Sequence, residues 1–351
     1  MPNIIDYAKY YGTKSFEEVP FNDIDALILG KISYLNFSDV KELLPNTIEN
    51  AGKAYFYSMT NEKVKNKKNV YKYTHNLFGS IKNTARFKDI QMINYERIVD
   101  SEKQFGAITF KYNDWIYISY EGTNEYISGW REDFDLSNKY PVPSQQLAID
   151  YLNNAAKGEK KIYVGGHSKG GNLSVVAAME ATKSVKEKIV TVYDFDGPGV
   201  REKEFDSEKF QQLIPKIKKY VPKGSLIGMI LFSTPNYYVV ESNYKGISQH
   251  HAVSWQCFGS YFILEKQSKS SLNFAKSIKE FLKESGEDNM RDFVSTVFEI
   301  LKEADITTTE TVTIKKIIKC LNCVRQGKLD KNTKDKLLKL FNIVLALYTG
   351  K

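Results

Sequence analysis

The segment "KIYVGGHSKGGNLSVVAAMEA" (161–181) drives an apolar stretch straight into an amphipathic one through a turn that holds Gly165, Gly166, Gly170 and Gly171. Four glycines give up backbone stability relative to alanine, so the turn must need them. Inside it lies Gly166-His167-Ser168-Lys169-Gly170, a G-x-S-x-G set between a strand pattern and a helix pattern. That placement turns a short pattern into a mechanical expectation. A strand that reverses into a helix over one residue holds that residue in a strained backbone. Glycines two positions to either side remove the Cβ atoms that would collide with the neighbouring strand and helix. Ser168 then projects above the sheet edge with its hydroxyl at the helix N-terminus. A phosphate-binding loop would need G-x-x-x-x-G-K-[ST]; here serine precedes lysine and the spacing fails. A plain glycine-rich turn would look similar, so the weight rests on what surrounds it.

The flanking chain has the matching rhythm. "DIQMINYERIVD", "FGAITFKYN" and "DWIYISYEG" are rich in β-branched and aromatic residues, and Asn113-Asp114 marks a turn, which predicts a meander. After about residue 145 strands and helices alternate: "SQQLAIDYLNNAAK" as helix, "KIYVGG" as strand, and "GNLSVVAAMEATKSV" as helix. "KIVTVYDFDG" then reads as strand, "EFDSEKFQQLIPKI" as helix and "NYYVVES" as strand. Helices between successive strands imply βαβ units around a largely parallel sheet. The first 80 residues read as mostly helical, with Asn22 or Asp23 capping "FNDIDALILGKISYL", and residues 60 to 70 read as an exposed loop. From residue 266 only helices are expected, with Gly286, Gly327 and Gly350 as stops.

Only four histidines exist: His75, His167, His250 and His251. Nucleophile-elbow enzymes order their groups serine, acid, histidine, with the histidine on the loop after the last strand. His250 and His251, in "GISQHHAVSW", fall there. An acyl-transfer site also needs donors aimed at the oxyanion, one from the backbone N–H after the nucleophile and one from the loop after an earlier strand. Lys169 and Thr123 occupy those positions. A Gly-Thr turn with no further role is the plain alternative for Thr123.

Composition bounds the rest. Of 351 residues 42% are hydrophobic and 13% aromatic, enough for a substantial core. The net charge of +8 is carried mainly by lysines spread along the chain, with one run at "EKVKNKK" (62–68). That pattern reads as a solvated surface, with peripheral attraction to an anionic membrane surface as the alternative, and not as a nucleic-acid stripe. The beginning of the sequence has no secretory pattern, and no apolar run approaches the roughly 18 residues of a membrane span. Cys257, Cys320 and Cys323 make no disulfide framework; the CxxC at 320–323 lies in a helical pattern without a second pair, so zinc is not expected. A reducing cytoplasm is the expectation, with no metal and no cofactor.

Four stretches, "YEGTNEYISGWREDFDL", "GGHSKGGNLS", "YDFDGPGV" and "QHHAVSW", resemble in this order the motifs of the class 3 (fungal-type) lipases. The opening "IIDYAKYYGTKSFEEVPFNDIDALILGKISYL" resembles a bacterial lipase-like branch of that group. The resemblance covers about residues 1 to 265 and implies an α/β-hydrolase fold with a mainly parallel central sheet. Residues 266–351 would form an all-helical extension. It also implies a lid at about 124–137, carrying Tyr126, Ile127 and Trp130. Ser168 would be the nucleophile, and His250 the base, because a histidine follows the glutamine in those lipases. The substrates implied are carboxylic esters, from lipid or acyl sources.

One element departs from the pattern. The acid of those lipases maps onto "IKKYVPKGSLIG", where its position falls at Gly224 or Ser225, and neither can serve. Losing the acid can lower turnover by about 10⁴. Either Asp196, with Asp194 as a second choice, supplies the carboxylate from the neighbouring strand end, or the triad is incomplete and a backbone carbonyl or a hydroxyl orients His250. A catalytically silent fold used for binding is the alternative to the hydrolase.

Overall fold

The computed structural model describes residues 2–59, 69–100, 103–123, 135–285, 290–306 and 312–349. Helices α1 (Ile4–Tyr11), α2 (Asp23–Ile32), α3 (Ile48–Ser58) and α4 (Asn69–Ile81) lead into the sheet. Asn22, not Asp23, caps α2: its side chain accepts from the N–H groups of Ile24 and Asp25, while the Asp25 carboxylate accepts from the Asn22 N–H. The same carboxylate takes the Tyr7 hydroxyl at 2.9 Å and the buried Arg86 guanidinium at 2.5 Å. One short polar cap therefore ties α1 and α2 to the chain ahead of the meander. A buried charge is tolerable only when paired in this way.

Eight strands follow one another across the sheet in chain order: β1 (Asn46–Thr47), β2 (Gln91–Val99), β3 (Gln104–Tyr112), β4 (Trp115–Tyr120), β5 (Lys161–His167), β6 (Ile189–Phe195), β7 (Ile217–Pro222) and β8 (Tyr237–Val240). Strands β1 to β4 pair antiparallel, with Asn113 at φ 48° in the β3–β4 turn, and β4 to β8 pair parallel. Alternation along β4 explains the layers. Trp115 and Tyr117 face a core shared with α1–α4, whereas Ile116, Ile118 and Tyr120 face the opposite core under α5 (Pro143–Ala155) and α6 (Lys169–Glu180). The crossovers that join parallel strands supply those helices, as right-handed βαβ connections require. This is the α/β-hydrolase arrangement.

The stretch "EFDSEKFQQLIPKI", expected as one helix, is interrupted. A short helical turn ends at Phe205, Ser207 caps a new helix α7 (Glu208–Leu213) by accepting from the Phe210 N–H, and Pro215 lies in the 3₁₀ turn that follows. A capping serine and a proline each favour a boundary over continuation.

After a small hairpin of β9 (Cys257–Phe258) and β10 (Tyr261–Phe262), the tail folds as α8 (Lys269–Ser285), α9 (Met290–Glu303), α10 (Ile314–Gln326) and α11 (Lys331–Thr349). Gly327 ends α10, its N–H donating to the Cys323 carbonyl; Gly286 and Gly350 lie outside the described residues. These helices bury a third apolar core, with Phe274, Phe281, Val324 and Phe341 inside it, and Leu226 and Ile230 from the loop after β7 pack against it. Among the described residues no helix is long and apolar enough to cross a membrane, and the three cysteines are free.

Candidate active site

Ser168 is the N-cap of α6 with φ 59° and ψ −132°, the left-handed side of conformational space that a non-glycine residue enters only under constraint. Neighbouring backbone supplies the constraint. The Ser168 N–H donates to the Phe195 carbonyl of β6 at 2.9 Å, and its own carbonyl accepts from the Gly171 N–H at 2.8 Å. A Cβ on Gly166 would come within 2.5 Å of the Gly170 backbone, and one on Gly170 within 2.2 Å of the Tyr120 carbonyl. The glycines are therefore required by the close approach of β4, β5 and α6. Ser168 itself is 8% exposed.

The strand register delivers the remaining groups. Gly166 lies opposite Asp194 and His167 opposite Phe195, so the end of β6 emerges beside the elbow. Asp196, one residue beyond β6, is fully buried at φ 54°, and its Oδ2 is 2.6 Å from His250 Nδ1. A carboxylate opposite Nδ1 favours the tautomer that carries its proton there. The other oxygen, Oδ1, accepts from the Ser225 hydroxyl and from the Gly228 N–H at 3.1 Å. Asp194 is differently placed: Lys219 on β7 donates to its Oδ2 at 2.6 Å and the Gly197 N–H to its Oδ1 at 2.8 Å. Its carboxylate is taken up in holding the turn.

Gly224 and Ser225, where the motif spacing put an acid, serve as supports. The Gly224 N–H donates to Gln249 Oε1, and a Cβ on Gly224 would meet the Gln249 side-chain amide at 2.5 Å. A side chain at 224 would have to displace the Gln249 amide, and the hydroxyl of Ser225 beside it reaches the carboxylate that ends β6.

His250 is carried by a 3₁₀ turn, Gly246–His250, that follows β8. His167, the residue between Gly166 and Ser168, grips this turn: its Nε2 lies 2.7 Å from the His250 carbonyl and the two rings stand 4.6 Å apart. A carbonyl accepts only, so Nε2–H donates and Nδ1 accepts from the Tyr34 hydroxyl at 2.9 Å. Burial above all, then the charges of Lys31 and His250, hold the His167 ring well below the ordinary histidine value and keep it neutral. Burial, with the charges of His250 and Lys31 behind it, also pushes His251 down to about 4.

On the other side of Ser168, Lys169 opens α6, and its ammonium is buried, donating to the Gln104 carbonyl at 2.9 Å. Gln104 donates in turn to Glu121 and to the Gly122 carbonyl, each at 3.4 Å, and Arg97 pairs with Glu121 at 3.2 Å. Gly122 lies so close to the elbow that a Cβ would come within 2.0 Å of the Tyr34 hydroxyl and 2.4 Å of the His167 carbonyl. Thr123 follows it, which brings this segment to the same sheet edge as Lys169. Beyond Thr123, residues 124–134, with Tyr126, Ile127 and Trp130 of the expected lid, lie outside the described residues.

Sequence reasoning set His167 aside as part of the elbow and did not find Ser225, Tyr34 or the Lys169 side chain. The lysine after Ser168 was the one legible signal, since a charged side chain there must find a partner below the turn. Among the described residues no three His, Cys, Asp or Glu side chains gather as a metal site.

The family described as Mbeg1-like matches residues 81–299, well over half of the chain. No curated protein matches. Among solved structures, a deletion mutant of the Rhizomucor miehei lipase–propeptide complex is 13% identical, with 73% of this chain and 76% of that one aligned at a TM-score of 0.41. A lipase from Rhizopus microsporus var. chinensis is 14% identical over 71% of this chain and 80% of its own, at 0.39. The Lip2 lipase of Yarrowia lipolytica is 12% identical over 52% and 72%, at 0.35. Likenesses of that size bear on neither activity nor residue roles.

Proposed function

The chain belongs to the Mbeg1-like family, and from its site geometry we propose that it is a serine hydrolase that cleaves carboxylic esters, drawn from lipid or acyl sources. The observation that carries the reading is the 2.6 Å contact of Asp196, at the end of β6, with Nδ1 of His250 on the turn after β8, in a fold that holds Ser168 at positive φ. In this reading Ser168 Oγ attacks the ester carbonyl and His250 Nε2 takes its proton. Asp196 holds the imidazole tautomer and stabilises the imidazolium as it forms. The backbone N–H groups of Lys169 and Thr123 receive the oxyanion. Collapse expels the alcohol, protonated by His250, and leaves an acyl-Ser168 that water hydrolyses by the same path in reverse order. Residues 1–265 carry this chemistry and 266–351 form a helical extension. The free thiols suit a reducing compartment such as the cytoplasm.

The test is labelling with a fluorophosphonate, which reports an activated serine without a guess at the substrate, together with hydrolysis of a short p-nitrophenyl ester. Wild type is expected to label and turn over. Ser168→Ala is expected to do neither while keeping its fold. Equal labelling of the two proteins would overturn the assignment, and no labelling of either would leave a silent fold.

A further inference from the structure

Asp196 is held from behind by the loop after β7, and that loop is gripped in turn by the tail. Asp196 Oδ1 accepts the Ser225 hydroxyl, and the Ser225 carbonyl accepts the hydroxyl of Ser271, which stands in the first turn of α8. Gln267 Nε2 donates to the same Ser271 oxygen at 2.6 Å, and the Ser268 N–H donates to the Lys223 carbonyl at 2.9 Å. Asp196 and Ser271 are fully buried and Ser225 is 2% exposed. The loop between β7 and β8 has no long helix of its own to brace it. Instead Leu226 and Ile230 pack into the apolar core of the tail, and Lys279 of α8 lies 4.9 Å over the Phe232 ring. A continuous line of hydrogen bonds runs from α8 through Ser271, Ser225 and Asp196 to His250.

We propose that the C-terminal helical extension positions the catalytic acid, with Ser271 and Ser225 as positioning residues that act through Asp196. The inference rests on the reading of Ser168, His250 and Asp196 as a triad. Its physical basis is that a carboxylate at the end of β6, reaching sideways under β7, has one oxygen to spare. That oxygen must be satisfied for the other to stay aimed at the imidazole, because an unpaired buried acceptor is costly and relaxes by turning. The Ser225 hydroxyl and the Gly228 N–H satisfy it together, and the loop that carries both stays in place because α8 grips the Ser225 carbonyl. The tail thus supplies at a distance what an acid on β7 itself would have had from its own loop.

A double-mutant cycle on the full-length protein, scored as kcat per fluorophosphonate-titrated serine, KM and Tm, tests this. Ser225→Ala is expected to lower kcat about tenfold and Ser271→Ala about three- to fivefold, both with KM unchanged. Because the two act along one line, Ser225→Ala combined with Ser271→Ala is expected to be no slower than Ser225→Ala alone. A Ser271→Ala protein with lowered Tm and unchanged kcat per titrated serine would overturn the inference, as would multiplicative effects in the double variant. Asp196→Asn, run alongside, separates the two levels. A large loss there with none for Ser271→Ala sinks the tail's role alone, whereas no loss for Asp196→Asn sinks the triad and the inference with it.

Discussion

The serine side of the site and the acid side are built in opposite ways. Ser168 is held almost entirely by its own turn and the strands on either side of β5: Gly166, Gly170 and Gly171 from the motif, the Tyr120 carbonyl from β4 and the Phe195 carbonyl from β6. Asp196 is held by groups from three places in the chain: His250 after β8, Ser225 and Gly228 after β7, and α8 behind them. A nucleophile must stand in one strained geometry, which local sterics impose cheaply. An acid must only present one oxygen to a ring, which many arrangements allow. On the proposed reading, the first is confined to a short motif and the second depends on contacts between distant segments.

The comparison is exposed to measurement first at the acid. Asp196→Asn is expected to reduce kcat by about 10³ to 10⁴ with little change in KM, because the amide favours the wrong imidazole tautomer. His250→Ala should cost at least as much and His251→Ala far less. A reversed ranking of the two histidines in the same ester assay would move the base to His251 and leave Asp196 without a partner to orient.

A smaller effect is expected where the two sides meet. His167 belongs to the serine turn but donates to the His250 carbonyl. His167→Leu removes that donor and leaves a buried carbonyl unpaired, so kcat should fall on the order of tenfold, with the Ser168 labelling rate falling in parallel. If labelling and turnover are untouched, the two halves are independent and the strap is only packing.

The smallest effect is on stability against pH. His251 in the native protein titrates near 4 against an ordinary value of 6.5, and His167 is shifted in the same direction. Between those values the unfolded chain binds protons that the native state refuses, so stability is lost as pH falls through this window and is whole above it. Tm should drop by several degrees between about pH 6.5 and 4, and His251→Asn should flatten the fall. An unaltered slope in that variant would remove His251 from the account.

Much of this was readable in advance. The strand–glycine–serine–helix pattern foretold the elbow because steric exclusion at Gly166 and Gly170 is a property of neighbours in the chain. Asn22 or Asp23 at the head of an apolar-periodic stretch foretold a cap for the same reason, and the fold uses Asn22. The break at Ser207 has its local signals in the capping serine and Pro215, set against an apolar spacing that runs on across the stretch. The chain alone favoured Asp196 over Asp194 without fixing that either meets the histidine. Both end the same apolar run, and they differ only in that Lys219, which lies opposite Asp194 on β7, claims one of them.

The order of strands and helices, the turn that bears Ser168 and the loop that bears His250 are thus written in local pattern, since periodicity and backbone sterics act over a few residues. Which carboxylate meets the histidine, and what stands behind it, depends on β6, β7 and α8 coming together across 75 residues of chain, from Asp196 to Ser271. Contacts of that range are settled by packing: the tail buries Phe274 and Phe281 in its own apolar core, and Leu226 and Ile230 of the loop carrying Ser225 pack against that core. Only the folded arrangement makes a serine in the place of an acid into the support of an acid on the next strand.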